Sequence, residues 1–273
     1  MNLTDVTYAV DDAVALITLN RPKYRNAQSW KLLDDLDAAL AAAEADGAVR
    51  VIVLRGADGN FSSGHDLGTP EQMAERERRG VPPDGIEFYE NFRKYNLDYT
   101  LRWRNVIKPT IAMVEGFCIY GGWMIAASMD LIFAAEGARF LPGLLEYFSV
   151  PYDIGIRKAK ELCFESRFIT AEEGKECGLV SRVYAPGDLE RETMNYARRV
   201  AENTPGALRM TKLSINKAQD LQGYSSFMEA AFADYLVMVQ SRGTGRVEGM
   251  RRLGGVDLAI KGTRGERPGQ TPG

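Results

Sequence analysis

Four short apolar runs, each closed by a turn signal, set the tightest limits on what this chain can fold into. Val14-Ala15-Leu16-Ile17-Thr18-Leu19 is rich in β-branched residues and stops at Asn20-Arg21-Pro22-Lys23, where proline removes a ladder donor. Val51–Leu54, Thr110–Val114 and Leu131–Ala135 read as further strands, and Val180–Tyr184 as another. Between the first two lie Leu32, Leu33, Leu36, Ala39, Leu40 and Ala43, spaced along one face of a helix, with Ser29 as its N-cap and Asp46-Gly47 as its close. Strands that alternate with helices make the class α/β.

Composition narrows the function. With 34 Lys+Arg against 37 Asp+Glu, the net charge is −3. That argues against a generally basic surface and against a nucleic-acid partner. The three cysteines, Cys118, Cys163 and Cys177, form no CxxC pair, so neither a disulfide framework nor a zinc knuckle is expected. His65 is the single histidine, which excludes any site built on two imidazoles, and no metal is expected. The longest uncharged run, Gly116 to Met129, has fourteen residues, short of the roughly 20 that span a bilayer. Asp5, Asp11 and Asp12 near the start are unlike a signal peptide. The expectation is a soluble, cytoplasmic protein without membrane contact.

Residues 69 to 105 are polar and read as helical pieces around a flexible stretch near 79–85. Gly116 to Met129 reads as a glycine-rich turn feeding a buried helix. The last third reads as mostly helix, with Phe227, Met228, Ala231, Phe232, Tyr235, Leu236 and Val239 as one apolar stripe that suits core packing and, in part, a subunit interface. The expected division is a core over 1–200, a helical region over 201–260 and a mobile Gly/Pro/charge-rich tail over 261–273.

Two segments share one design. Val51–Leu54 leads to Phe61-Ser62-Ser63-Gly64-His65-Asp66-Leu67, and Thr110–Val114 leads to Gly116-Phe117-Cys118-Ile119-Tyr120-Gly121-Gly122. Such turns side by side can aim two backbone N–H groups at one oxygen, and glycine permits the close approach. The helix starting near Gly121 would add its positive end.

These residues resemble the enoyl-CoA hydratase/isomerase (crotonase) superfamily. The resemblance rests on Asn20-Arg21-Pro22-Lys23…Asn26-Ala27, Val51 to Gly56, Phe61 to Leu67, Lys108 to Ala112, Gly116…Gly121-Gly122…Asp130, Ala171-Glu172-Glu173…Gly178-Leu179-Val180 and Glu248-Gly249-Met250. It implies a crotonase (ClpP-like) spiral of repeated ββα units, with a C-terminal helical region that builds trimers, often paired into hexamers. It also implies acyl-coenzyme A thioester substrates, with coenzyme A as part of the substrate and no separate cofactor. The thioester oxygen would be held by the N–H groups of His65 and Gly121. His65, Asp66, Leu67 and Gly68 would line the acyl-CoA path, and Lys23 and Arg25 would lie near the nucleotide.

The family's hydratases use two glutamates, and both positions differ here. Three residues after the oxyanion glycine stands Met124. With Pro151 as anchor of the register, the second position is Leu144. Neither side chain exchanges a proton, so ordinary hydration is not expected. Glu146 is the nearest replacement, and a slip of two residues would make it the second glutamate itself. Tyr120, in place of the usual small glycine, could donate to an enolate or fill the pocket. Asp153 lies near the altered loop, Asp130 suits a brace, and Cys118 suits the core. His65 could act as a base for hydrolytic carbon–carbon cleavage. Three functions follow: a one-base enolate-stabilising enzyme of this family, a hydrolase or lyase using His65, and a silent CoA-thioester binder.

Overall fold

The computed structural model describes residues 2–81, 85–241, 260 and 263. Its main sheet has six strands. β1 (Val6–Asp11) and β2 (Val14–Leu19) pair antiparallel; β3 (Val51–Gly56), β4 (Thr110–Val114), β6 (Leu131–Ala135) and β9 (Arg182–Tyr184) add on in parallel, in the order β1-β2-β3-β4-β6-β9. The last strand is shorter than the Val180–Tyr184 run, because Val180 turns back to bond Gly174 O. A second sheet holds β5 (Phe117–Ile119), β7 (Arg139–Leu141) and β8 (Ile169–Thr170). β2, β3, β4 and β6 are buried almost throughout, as continuous apolar runs in a parallel sheet require.

The repeat is visible in how the chain alternates between the sheets. β4 joins the large sheet, β5 the small one, and helix α5 (Gly121–Ala127) follows; β6 and β7 do the same before α6 (Val150–Ile154). Earlier turns repeat the scheme with the second strand reduced to a single bridge. Ser62 pairs with Cys118 after β3, and Gln28 pairs with His65 after β2. The Gly116 to Met129 segment is therefore more than a glycine turn and helix. Its Phe117–Ile119 stretch is a strand that periodicity over three residues cannot reveal.

Helix α1 (Trp30–Ala45) begins where expected, with the Ser29 hydroxyl accepting from Leu32 N–H, and its apolar face enters the main core. The 69–105 stretch forms α2 (Pro70–Arg79), α3 (Gly85–Arg93), one π-helical turn (Lys94–Asp98) and α4 (Tyr99–Arg104). Asp34 of α1 collects Arg79, Tyr95 and Tyr99, which binds three of these pieces to one carboxylate. Burial and that carboxylate push both phenols up. α7 (Ile156–Glu165), α8 (Ala171–Glu176) and α9 (Leu189–Ala201) complete the core region. α10 (Pro205–Leu221) and α11 (Tyr224–Ser241) form the helical C-terminal region. On α11, Met228, Ala231, Phe232 and Tyr235 are buried, while Phe227, Leu236 and Val239 of the same stripe are half-buried. Glu248-Gly249-Met250 and most of the expected tail lie outside the described residues.

Candidate active site

The loop after β3 is shaped by its two bridges. Gln28 N–H donates to Gly64 O at 2.8 Å and Asp66 N–H donates to Gln28 O at 3.0 Å. In such a parallel bridge the central residue takes no part in the ladder, so His65 N–H faces away from Gln28's backbone. Gly64, at φ +92°, lies against the second glycine turn: a Cβ there would stand 2.8 Å from Ile119 O and 3.6 Å from Gly121 N. Gly121 opens α5, so its N–H has no acceptor within the helix. A Cβ on Gly121 would meet Gln28 Oε1 at 2.3 Å and His65 Cε1 at 3.0 Å. Only glycine fits between that amide and that imidazole.

Glu146 reaches the same place from the far side. It lies in a 3₁₀ turn, Leu145–Tyr147, and is fully buried. Its Oε1 is 3.0 Å from His65 Nε2, while Oε2 has no hydrogen-bond partner. The 3₁₀ geometry turns Glu146 inward and leaves Leu144 half-buried in extended backbone at the turn's start. Met124 is buried with Leu97, Tyr147, Tyr224, Met228 and Phe232, its Cγ 3.3 Å from where a Cβ on Gly143 would be. It packs beneath the Glu146 loop as core.

The remaining candidates fall on both sides of the site. Asp66 is buried and paired with Arg21 at 2.8 Å, and it accepts from Gly68 N–H, Thr69 N–H and the Thr69 hydroxyl. Burial alone would raise this carboxyl; the Thr69 and Arg21 bonds outweigh it and hold it below the usual range. Asp66 thus shapes the loop, and it also lines the cavity beside His65. Leu67 is exposed at the mouth and Gly68 beside it. Tyr120 holds an unusual backbone, φ +46° and ψ −104°, in the positive-φ region where glycine is at ease. Its side chain packs with Phe117 on Ile119, Leu141 and Phe168. Lys23 and Arg25 are exposed, Lys23 3.8 Å from Glu71 and Arg25 over the Phe117 ring.

Asp130 braces the start of β4 through Thr110 N–H and Lys212, and Cys118 is core. Asp153 accepts from Trp123 Nε1 at 2.8 Å and from the Ser149 hydroxyl at 2.7 Å, which places it behind the site. Gln28, unremarked in the sequence, touches both Gly121 and Ser62. Its signal was a polar residue directly after the Asn26-Ala27 motif, where the chain enters the interior.

A cavity of about 320 Å³ opens beside His65 and Leu67 and runs between Gln28, Trp30, Phe92 and Tyr95. Among the described residues no group of three or more His, Cys, Asp or Glu is placed to hold a metal, and no helix is long and apolar enough to cross a membrane.

The model of the family described as enoyl-CoA hydratase/isomerase matches residues 9–235. The chain belongs to the enoyl-CoA hydratase/isomerase family. Its fold is the crotonase fold: a crystal structure titled as a probable enoyl-CoA hydratase from Mycobacterium thermoresistibile superposes with a TM-score of 0.75 at 40% identity, over 84% of this chain and 94% of that one. One of an enoyl-CoA hydratase/isomerase from Xanthobacter autotrophicus Py2 gives 0.76 at 30% identity, over 96% and 88%. Among curated relatives, the short-chain-enoyl-CoA hydratase of Clostridium acetobutylicum is 30% identical over 246 residues, 86% of this chain and 90% of that protein. In this chain Met124 is buried and Glu146 is joined to His65.

Proposed function

We propose that this chain is an acyl-CoA enzyme that stabilises a thioester enolate and moves a proton with Glu146, oriented by His65. The observation that carries the reading is the 3.0 Å bond between His65 Nε2 and Glu146 Oε1, with Glu146 Oε2 buried and unpartnered beside the two glycine turns. His65 and Gly121 N–H would hold the thioester oxygen. A proton leaves the substrate's α-carbon for the carboxylate, the electron pair passes toward the held oxygen, and protonation at another carbon completes a double-bond isomerisation. Hydration needs a second acid–base group, and Met124 supplies none. Lys23 and Arg25 would meet the coenzyme's phosphates. A homotrimer or dimer of trimers in the cytoplasm belongs to the same reading, with no cofactor beyond the coenzyme A of the substrate.

A second reading has support in the quarter-exposed His65 side chain, which lines the cavity and is reachable by water: His65 as base for hydrolytic carbon–carbon cleavage. α-Proton exchange of hexanoyl-CoA in D₂O separates the cases. Deuterium uptake that falls about 10²–10⁴-fold in Glu146→Gln supports Glu146 as base. Uptake unchanged in Glu146→Gln but lost in His65→Gln moves the base to His65. No uptake with any acyl-CoA, despite binding, leaves a silent thioester binder.

A further inference from the structure

Glu146 does not fix its own position. One carboxylate oxygen bonds the quarter-exposed imidazole of His65, and the other has no partner. The next residue in the turn is held far more firmly. Tyr147 is fully buried, and its hydroxyl shares a hydrogen bond with that of Tyr224, 2.6 Å away. The two rings meet edge to face, with centroids 6.3 Å apart. Leu97, Met124, Met228 and Phe232 surround the pair with apolar contacts. Such contacts hold a ring by volume but give a turn no direction. The hydroxyl bond supplies the direction.

Tyr224 is anchored in its turn. It opens α11, directly after Gly223 at φ +92°. The Arg104 guanidinium lies 4.4 Å from its ring centroid, and the Tyr152 ring packs edge-on at 4.8 Å. Arg104 is buried and donates to Asn216 O and to Gln219 Oε1 on α10. A continuous set of contacts thus runs from α10 and α11 to the turn that carries Glu146. Burial pushes both phenols up, so both hydroxyls keep their protons and the bond is a brace. In a 3₁₀ turn successive side chains point about 120° apart. Seating Tyr147 against α11 therefore aims Glu146 at a different wall, the one that His65 occupies.

We propose that Tyr224 is a positioning residue for Glu146: its hydroxyl, acting through Tyr147, sets the rotation of the Leu145–Tyr147 turn and so where the carboxylate meets His65. The inference rests on the reading of Glu146 as the base and makes the helical C-terminal region part of the site's geometry.

Tyr224→Phe, which removes one oxygen, is the test, with two measurements on the intact protein. The first is α-proton exchange of hexanoyl-CoA in D₂O. The rate should fall about 10- to 100-fold, the scale of a misplaced catalytic group, while calorimetry shows the affinity for hexanoyl-CoA unchanged. The second is the ¹⁵N resonance of Nε2 of His65, the chain's single histidine. In Tyr224→Phe it should move toward its position in Glu146→Gln. Tyr147→Phe should reproduce both effects, and the double variant should add nothing further, because the two hydroxyls act as a unit. Unchanged exchange, an unmoved His65 resonance, or an affinity that falls as far as the rate overturns the positioning. No exchange in the wild type, or wild-type exchange in Glu146→Gln, overturns the base reading instead, and the His65 resonance then decides whether Tyr224 positions Glu146. Should a single variant fail to fold, judged by circular dichroism, the double variant, which strands no buried hydroxyl, takes its place in both measurements.

Discussion

Trp123 Nε1 donates to Asp153 Oδ2 across 2.8 Å, fastening α5, whose first residue is Gly121, to α6 beyond the Glu146 turn. Burial raises the Asp153 carboxyl from 3.8 to about 6 against the Ser149 and Trp123 bonds that lower it. The folded chain therefore holds this proton more tightly than the unfolded one. The resulting stability is complete below 3.8 and is lost as pH rises through about 6. Two units correspond to about 3 kcal/mol at most. Thermal melts between pH 4 and 8 should show this slope in the wild type and a flatter one in Asp153→Asn. Identical pH profiles would remove Asp153 from the account.

Crotonyl-CoA hydration should be absent or far below that of a relative with both glutamates, followed as loss of the conjugated thioester absorbance. Met124→Glu alone should not restore it. The new carboxylate would be buried among Leu97, Tyr147 and Phe232, at a cost in stability of several kcal/mol. Brisk turnover by the wild type would mean that Glu146 and another acid carry out the reaction.

Gly121→Ala should weaken catalysis about 10²–10³-fold, the scale of losing one oxyanion donor. Its Cβ would overlap Gln28 Oε1 at 2.3 Å, so the amide, the imidazole or the turn must shift. The Tm should fall with it, by the equivalent of about 1–3 kcal/mol for overpacking. Activity retained at the wild-type level would place the thioester oxygen elsewhere.

Arg21→Met should destabilise the protein by about 3–5 kcal/mol, because it strands a buried Asp66 charge. Arg21→Met with Asp66→Leu should cost less than the single change. Urea denaturation of both variants measures the difference; equal or larger loss in the double variant would count against a buried pair.

Much of the frame was legible because its signals are local. The Leu32 to Ala43 face and the Ser29 cap mark α1, and Val51–Leu54 marks a strand, within a few residues of themselves. β5 escaped notice because three residues carry no period, and it forms only where β7 offers a partner. The site was half legible. Gly64, His65 and Gly121 could be placed through the resemblance. The meeting of His65 with Glu146 spans 81 positions and depends on a 3₁₀ turn over Leu145–Tyr147 that three residues of sequence do not announce. Gln28 went unseen because its role comes from a single bridge, not from a pattern along the chain. Met124 is buried among Leu97, Tyr147 and Phe232, a setting that its spacing from Gly121 does not reveal.

The loop that carries Gly64 and His65 is attached at single bridges, Gln28 to His65 and Ser62 to Cys118, rather than along a full ladder. Spacing therefore matters there as much as residue identity. In a ladder of period two, adding or deleting one residue between Ser62 and Gly64 would bring Gly64 or Asp66 to Gln28's partner position, turning His65 to the opposite face. The chain has no other imidazole to take its place. Length variation among natural versions of this protein should accordingly stop at this loop.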